Sequence, residues 1–338
     1  MTPLPATQPL RPDVSRRKLI EVRNLVTRFK LGNLEVQAVR GIDLVIGEGE
    51  VLGVIGESGS GKSVTGLSLL RLLPQNAEVT ADVLSFRGRP LAPLTEREFR
   101  ELRGTHLAMV FQDPVGAFNP VKTIGWHLSR IIERAKARTD RAGSDLDQNA
   151  MSWLKDVGIP NPERILPQYP HQLSGGMLQR ALIAMVAALQ PDLLVADEPT
   201  TNLDNIVERQ IISLFRRLRE KLRAAIIFIT HDISLAAGLC DTICVMYAGE
   251  IVETGPAAEI LGAPQHPYTF GLVATSRQLD ARGERLREIA GELPGALSRP
   301  QGCLFAPRCG LVTEECRAAP PPMREIGRDH TIRCIRHA

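Results

Sequence analysis

Leu19 to Arg28 and Val36 to Ile46 alternate or run apolar with the period of a strand, and Gly47-Glu48-Gly49 interrupts them before Val51-Leu52-Gly53-Val54-Ile55. The first two runs predict an antiparallel sheet, and the third a buried strand. An amphipathic segment begins at Val64. From about Leu94 to Met185 the spacing turns helical and more polar, apart from a strand at His106 to Phe111 and a charged, flexible stretch near Ala135 to Gln148. Leu193 to Ala196, Ala225 to Thr230 and Thr242 to Met246 follow as short β-rich runs separated by helical segments. That alternation predicts an α/β fold, a parallel sheet with crossover helices.

The chain has 338 residues, enough for one large α/β domain with a smaller appendage or for two domains. A net charge of +3 and 4% aromatic residues leave few basic clusters or stacking platforms, which argues against a nucleic-acid partner. Residues 1–17, with Pro3, Pro5, Pro9 and Pro12 and no continuous apolar run, read as a flexible leader and not a secretory signal, so the protein is expected in the cytoplasm. The best candidate for a membrane span, Ala181 to Leu189, is about half the length needed to cross a bilayer. Any link to a membrane must run through a partner.

Two stretches carry chemistry. Gly56-Glu57-Ser58-Gly59-Ser60-Gly61-Lys62-Ser63 fits GxxxxGK[ST] between a predicted strand and a predicted helix. Its glycines let backbone N–H groups turn inward, Lys62 can reach terminal phosphates, and Ser63 can offer a hydroxyl to Mg²⁺ at a helix start that favours anions. The strand Leu193 to Ala196 delivers Asp197 and Glu198 at its C-terminal end, where ligands bind in open α/β sheets. Asp197 would join the Mg²⁺ shell, and Glu198 would polarise an attacking water. Between them, Ser174-Gly175-Gly176 precedes a long apolar helix, giving a second phosphate-facing helix start that could serve a neighbouring chain.

Four of six cysteines, Cys303, Cys309, Cys316 and Cys334, fall in the last 36 residues, with five, six and seventeen residues between them. That spacing matches neither a zinc knuckle nor a ferredoxin run, so spacing alone leaves Zn²⁺ and [4Fe–4S] both open. Cys240 and Cys244 read as small buried hydrophobes.

In this order, Gly56 to Ser63, Gln112, Leu173 to Met177, Asp197-Glu198, Leu203-Asp204 and His231 resemble the motif series of an ABC-type ATPase. The resemblance implies a P-loop ABC ATPase domain with a RecA-like parallel core, an N-terminal antiparallel β subdomain and a helical subdomain. These map to residues 18–262, with the helical part at about 94–185 and a cysteine-containing extension at 263–338. It further implies a head-to-tail dimer holding ATP and Mg²⁺ between the P-loop of one subunit and Ser174-Gly175-Gly176 of the other. Phe29 matches the aromatic that stacks on adenine, Gln112 the residue linking Mg²⁺ to the transporter interface, and His231 the switch on the γ-phosphate. Each alone has a plain alternative, as core, loop polar or helix-start residue.

Phe111-Gln112-Asp113-Pro114 running on to Phe118-Asn119-Pro120, Tyr169-Pro170-His171-Gln172, His266-Pro267-Tyr268-Thr269 and Gly302 to Cys309 resemble one subgroup, the ATPases of oligopeptide, dipeptide and nickel importers. Asn202 and Gly310 depart from its pattern, and Asn202 leaves the dimer coupling open. The subgroup implies a [4Fe–4S] cluster on the four tail cysteines, with Zn²⁺ as the alternative. It also implies a second, different ATPase chain, two membrane permease subunits and, indirectly, an extracytoplasmic solute-binding protein. The expected place is the cytoplasmic face of the plasma membrane, and the expected activity is ATP hydrolysis coupled to import of peptides or, alternatively, a nickel or metal chelate. A soluble ABC ATPase for DNA repair or translation lacks its expected coiled-coil insertion or tandem domain, and a redox-regulated soluble ATPase is the other alternative.

Overall fold

The computed structural model describes residues 17–139, 146–201, 203–280, 289–295 and 300–336. Residues 1–16 of the expected leader, residues 1–17, and Asn202 lie outside them.

Strands β1 (Lys18–Leu31) and β2 (Leu34–Gly47) pair antiparallel, and β3 (Val51–Ile55) follows. Then come β4 (Ala77–Thr80), β5 (Val83–Phe86), β6 (Arg89–Pro90) and β7 (Leu107–Val110). They are followed by β8 (Leu193–Asp197), β9 (Ala225–Thr230), β10 (Thr242–Tyr247), β11 (Glu250–Pro256), β12 (Arg324–Gly327) and β13 (His330–Ile332). A five-stranded antiparallel sheet has the order β2-β1-β5-β6, with β4 also on β1; an eight-stranded sheet has the order β12-β13-β11-β10-β3-β9-β8-β7. Within the second, β7, β8, β9, β3 and β10 are parallel.

Every residue of β3, β8 and β9 is buried, as expected for strands covered on both faces. One core packs the helical face of the parallel sheet, through Val51, Ile55, Phe215 and Phe228; the other packs it against the antiparallel sheet, through Leu52, Val54, Val22 and Ile42. Each fully buried Val, Ile or Phe side chain contributes about 1.5–3 kcal/mol. Alternation along β3 therefore joins the two layers: odd and even residues serve opposite cores.

The helices Ile124–Thr139, Leu146–Asp156 and Gly175–Ala188 pack on one another. The first runs through Thr139 and the second begins at Leu146, so the stretch read as flexible is helical wherever it is described. Good helix formers such as Glu133, Ala135, Lys136 and Ala137 outweigh the charge run there.

The cysteine-containing extension is not a free appendage: β13 pairs with β11 through Glu253↔Ile332 and Thr254↔Thr331, which extends the main sheet. The small strands β4, β5, β6, β11, β12 and β13 were not legible as runs: all but β11 are four residues or fewer, and β4, β6 and β12 bury none of their residues. Among the described residues no helix is long and apolar enough to cross a membrane.

Candidate functional site: a phosphate loop facing two carboxylates

β3 ends at Ile55, and the loop Gly56 to Gly61 leads into the helix Lys62–Leu69. The helix starts two residues before the apolar pattern shows it, at the lysine itself. Gly56 has no room for a side chain, since a Cβ there would stand 2.2 Å from the Met246 carbonyl oxygen. The loop is braced from outside as well: Gly249 N–H donates to the Ser60 carbonyl at 2.9 Å.

Lys62 is buried, and its Nζ donates to the carbonyls of Gly56 (2.8 Å) and Glu57 (3.0 Å) while standing 3.7 Å from Glu198 Oε1. Burial pulls its pKa down, partly offset by Glu198 and Asp197. Ser63 Oγ donates to Asp197 Oδ1 at 2.7 Å. Burial raises the Asp197 pKa, so its ionised form calls for a cation.

Glu198 follows β8 with φ +43°, a left-handed conformation that costs a non-glycine residue about 1–3 kcal/mol. The turn aims its carboxylate across the loop. Oε2 accepts from Gln112 Nε2 (3.1 Å) and Thr201 Oγ1 (2.9 Å), and His231 Nδ1 lies 3.5 Å away. The His231 contact, with Thr201 and Lys62 behind it, lowers the Glu198 pKa to about 2 against the cost of burial, and Glu198 in turn raises that of His231. Lys62, Gln112 and His231 thus converge on Glu198, next in sequence to Asp197 of the Ser63–Asp197 pair. Thr201 was not found from the sequence; a threonine three residues after the glutamate carries no signal of its own.

Phe29 is half-buried and pairs with Val36 and Ala77, outside both cores. Its neighbour across the hairpin lies two residues from Ala38, whose carbonyl oxygen would meet a Cβ on Gly61 at 2.7 Å, so this end of the antiparallel sheet abuts the phosphate loop. Ser174 caps the helix Gly175–Ala188, accepting from Met177 N–H at 3.4 Å, and with Gly175 it is exposed. Among the described residues no hydrogen bond or ion pair joins Ser174-Gly175-Gly176 to the loop Gly56 to Ser63. Asp204 caps the helix Asn205–Leu222 through Ile206 and Val207 N–H groups.

In the tail, Cys303, Cys309, Cys316 and Cys334 are free thiols lining one cavity of about 20 Å³ with His266, Pro267 and Phe305. The four thiols are not gathered on one point as they stand: among the described residues no three His, Cys, Asp or Glu side chains close on a single ion position. Burial raises the Cys303 pKa to about 11. Cys240 and Cys244 are buried in the core, their thiols pushed well up by desolvation, that of Cys244 to about 12.

A phosphate loop at the carboxyl edge of a parallel sheet, facing Asp-Glu at the end of the next strand but one, defines a P-loop nucleotide hydrolase. Residues 39–201 match the family described as ABC transporter, and residues 252–316 match the oligopeptide/dipeptide transporter C-terminal region. The chain is 42% identical to the Dipeptide transport ATP-binding protein DppD of Escherichia coli, over 94% of this chain and 96% of that one. It is 41% identical to DppD of Haemophilus influenzae, over 94% of each. A dimeric ATP-binding cassette solved after hydrolysis, with ADP and phosphate bound, superposes with a TM-score of 0.59 at 26% identity, over 71% of this chain and 99% of that one. The chain belongs to the ABC transporter ATPases, in the group of the oligopeptide and dipeptide transporters. It is an ATP-hydrolysing subunit.

Proposed function

We propose that Gly56 to Ser63, Gln112, Asp197, Glu198 and His231 form one half of an ATP site, with Phe29 against the adenine. The matching signature of a second, different ATPase chain supplies the other half, and Ser174-Gly175-Gly176 of this chain serves that partner's site in return. Hydrolysis there powers import of peptides through two membrane permease subunits, fed indirectly by a solute-binding protein, with this chain docked peripherally on the cytoplasmic face. The observation that carries the reading is the pairing of consecutive loop and strand-end residues: Ser63 Oγ donates to Asp197 at 2.7 Å, and Lys62 Nζ stands 3.7 Å from Glu198 Oε1. The peptide cargo rests on relatives named for dipeptide transport.

The resting contacts suit exchange for a triphosphate. Lys62 is held only by loop carbonyls and a 3.7 Å carboxylate, all weaker partners than phosphate oxygens. Ser63 Oγ and Asp197, hard oxygen donors already 2.7 Å apart, fit Mg²⁺, which supplies charge neutralisation on the phosphates when bound. Glu198 receives the proton of the attacking water. With His231 holding it, Glu198 is a poor base; transfer of His231 to the γ-phosphate frees it, so hydrolysis waits for nucleotide. The exposed start of the 14-residue helix Gly175–Ala188 offers its N–H groups to the phosphate of the neighbouring subunit. Glu198→Gln is expected to bind ATP and pair with the partner ATPase without turnover; normal hydrolysis by that variant would remove Glu198 from the role of base.

The donor chemistry of the tail fits an iron–sulfur cluster on Cys303, Cys309, Cys316 and Cys334. Leu311 N–H and Arg336 N–H donate to the sulfurs of Cys309 (3.4 Å) and Cys334 (3.3 Å), and Thr313 Oγ1 lies 3.3 Å from Cys316 Sγ. Such contacts stabilise ligating thiolates. The cavity between the thiols has room for about one water, so the thiols must spread to take a cluster. Its chemistry would be that of a clamp on the tail.

A further inference from the structure

The tail reaches the phosphate loop. Arg308, adjacent to Cys309, has a side chain only 5% exposed and grips Glu57 with both arms, Nη1 to Oε2 at 2.8 Å and Nη2 to Oε1 at 3.0 Å. Its other N–H groups donate to the carbonyls of Ile289 and Ala290, which fixes the fork in place. Tyr268 is fully buried, and its hydroxyl accepts a hydrogen bond from Glu57 N–H at 2.9 Å. Its ring packs on Tyr247 (4.7 Å between centroids) and on Phe305 (5.4 Å). The two tail motifs, His266 to Thr269 and Gly302 to Cys309, therefore converge on one residue of the loop.

We propose that Arg308 and Tyr268 are positioning residues for ATP binding: Arg308 neutralises Glu57 and turns its carboxylate away from the phosphates, and Tyr268 fixes the Glu57 backbone. The chemistry explains the need. Glu57 stands second in a loop that must receive a polyanion, and its side chain keeps 29% exposure even when paired. Left unpaired, that carboxylate would repel the triphosphate and pull Lys62 towards itself, since the Glu57 charge already acts on Lys62. A guanidinium is the group whose geometry matches a carboxylate edge-on, and here it is buried and anchored on two carbonyls. Leu293 adds a third tail contact, 3.9 Å from where a Gly59 Cβ would stand.

The inference rests on the reading of Gly56 to Ser63 as the ATP loop, so that reading needs its own control. The full-length chain is titrated with a fluorescent ATP analogue at fixed Mg²⁺, and Lys62→Ala reports on the loop itself through loss of binding. Arg308→Gln is expected to weaken binding about tenfold, the worth of a charged hydrogen-bonded pair. Adding Glu57→Gln should recover most of that loss, because the charge that Arg308 offsets is gone. Tyr268→Phe, which keeps the ring against Tyr247 and Phe305, is expected to weaken binding with an unchanged thermal melt. Undiminished affinity in Arg308→Gln would overturn the proposal, as would a loss that Glu57→Gln fails to recover. Should Arg308→Gln not fold, Tyr268→Phe decides alone, and wild-type affinity in it would overturn the proposal.

Discussion

His231 Nδ1 lies 3.5 Å from Glu198 Oε2, and each sets the proton affinity of the other. The His231 contact is the largest factor holding Glu198 down to about 2, and the Glu198 contact is the largest factor raising His231. The Glu198 contribution to stability is present above its ordinary value of 4.5 and is lost as pH falls through about 2. That of His231 is present below its ordinary 6.5 and is lost as pH rises through its raised value. The pair is fully engaged between those two ordinary values. With the His231 side chain 55% exposed, solvent and salt keep its contribution to stability small. In nucleotide-free protein the His231 ring resonances are expected to titrate with a midpoint above 6.5. In Glu198→Gln the midpoint should fall; an unmoved midpoint by NMR would separate the two groups.

Gly61 joins the loop to the helix at φ +100°, and a Cβ there would meet the Ala38 carbonyl oxygen at 2.7 Å. Strain and collision act together in Gly61→Ala. The expected cost is about 1–3 kcal/mol of stability, with a larger loss of ATP binding because the loop must shift against the antiparallel sheet. Thermal denaturation and nucleotide titration on the same sample check both halves. Full nucleotide affinity in that variant would mean the loop tolerates the shift.

The parallel strands and the phosphate loop were legible because their signals are local. Val51 to Ile55 is a short apolar run next to an eight-residue pattern, and both lie where the residues placed them. Glu198 and Asp197 could be read from the strand that carries them, although not the left-handed turn at Glu198, where its N–H donates to the Ile229 carbonyl of the neighbouring strand at 3.0 Å. Arg308 and Tyr268 stood in motifs whose pattern was visible and whose purpose was not. Their partner Glu57 is more than two hundred residues away in sequence, and a contact of that separation leaves no periodicity to read. The hairpin of β12 and β13 escaped for a related reason: its strands are short, and only the edge of β11 makes them strands.

Asp241 ties the start of the main sheet to the helix Asn205–Leu222. Its carboxylate accepts from Arg219 Nη2 at 2.7 and 2.6 Å and from Val51 N–H at 3.0 Å, and it is buried. Asp241→Ala strands a largely buried guanidinium and a buried N–H at the first residue of β3. The expected loss is about 3–5 kcal/mol, read as a fall in the denaturant midpoint. Adding Arg219→Met should return part of it, since an unpaired buried charge is the main cost; a double variant no better than the single one would assign the loss to the Val51 contact instead.

The four tail thiols make the sharpest test of what the extension holds. Free thiols that line one cavity, with no disulfide among them, stand next to N–H or O–H donors at all four sulfurs, the backbone N–H groups of Phe305 and Ala306 at Cys303 among them. Thiolates held in that way need a cation to offset their charge, because burial raises the pKa of Cys303, Cys309 and Cys334. Protein purified without oxygen is expected to show a broad brown absorption and about four iron per chain, both lost in Cys303→Ser. Because Arg308 neighbours Cys309 and grips Glu57, the same variant should also bind ATP more weakly than the iron-loaded wild-type protein. Stoichiometric zinc would make the tail a single-ion clip, which the present arrangement of thiols does not form without rearrangement. Metal-free protein with unchanged ATP affinity would leave the ATPase intact and remove the cluster from it.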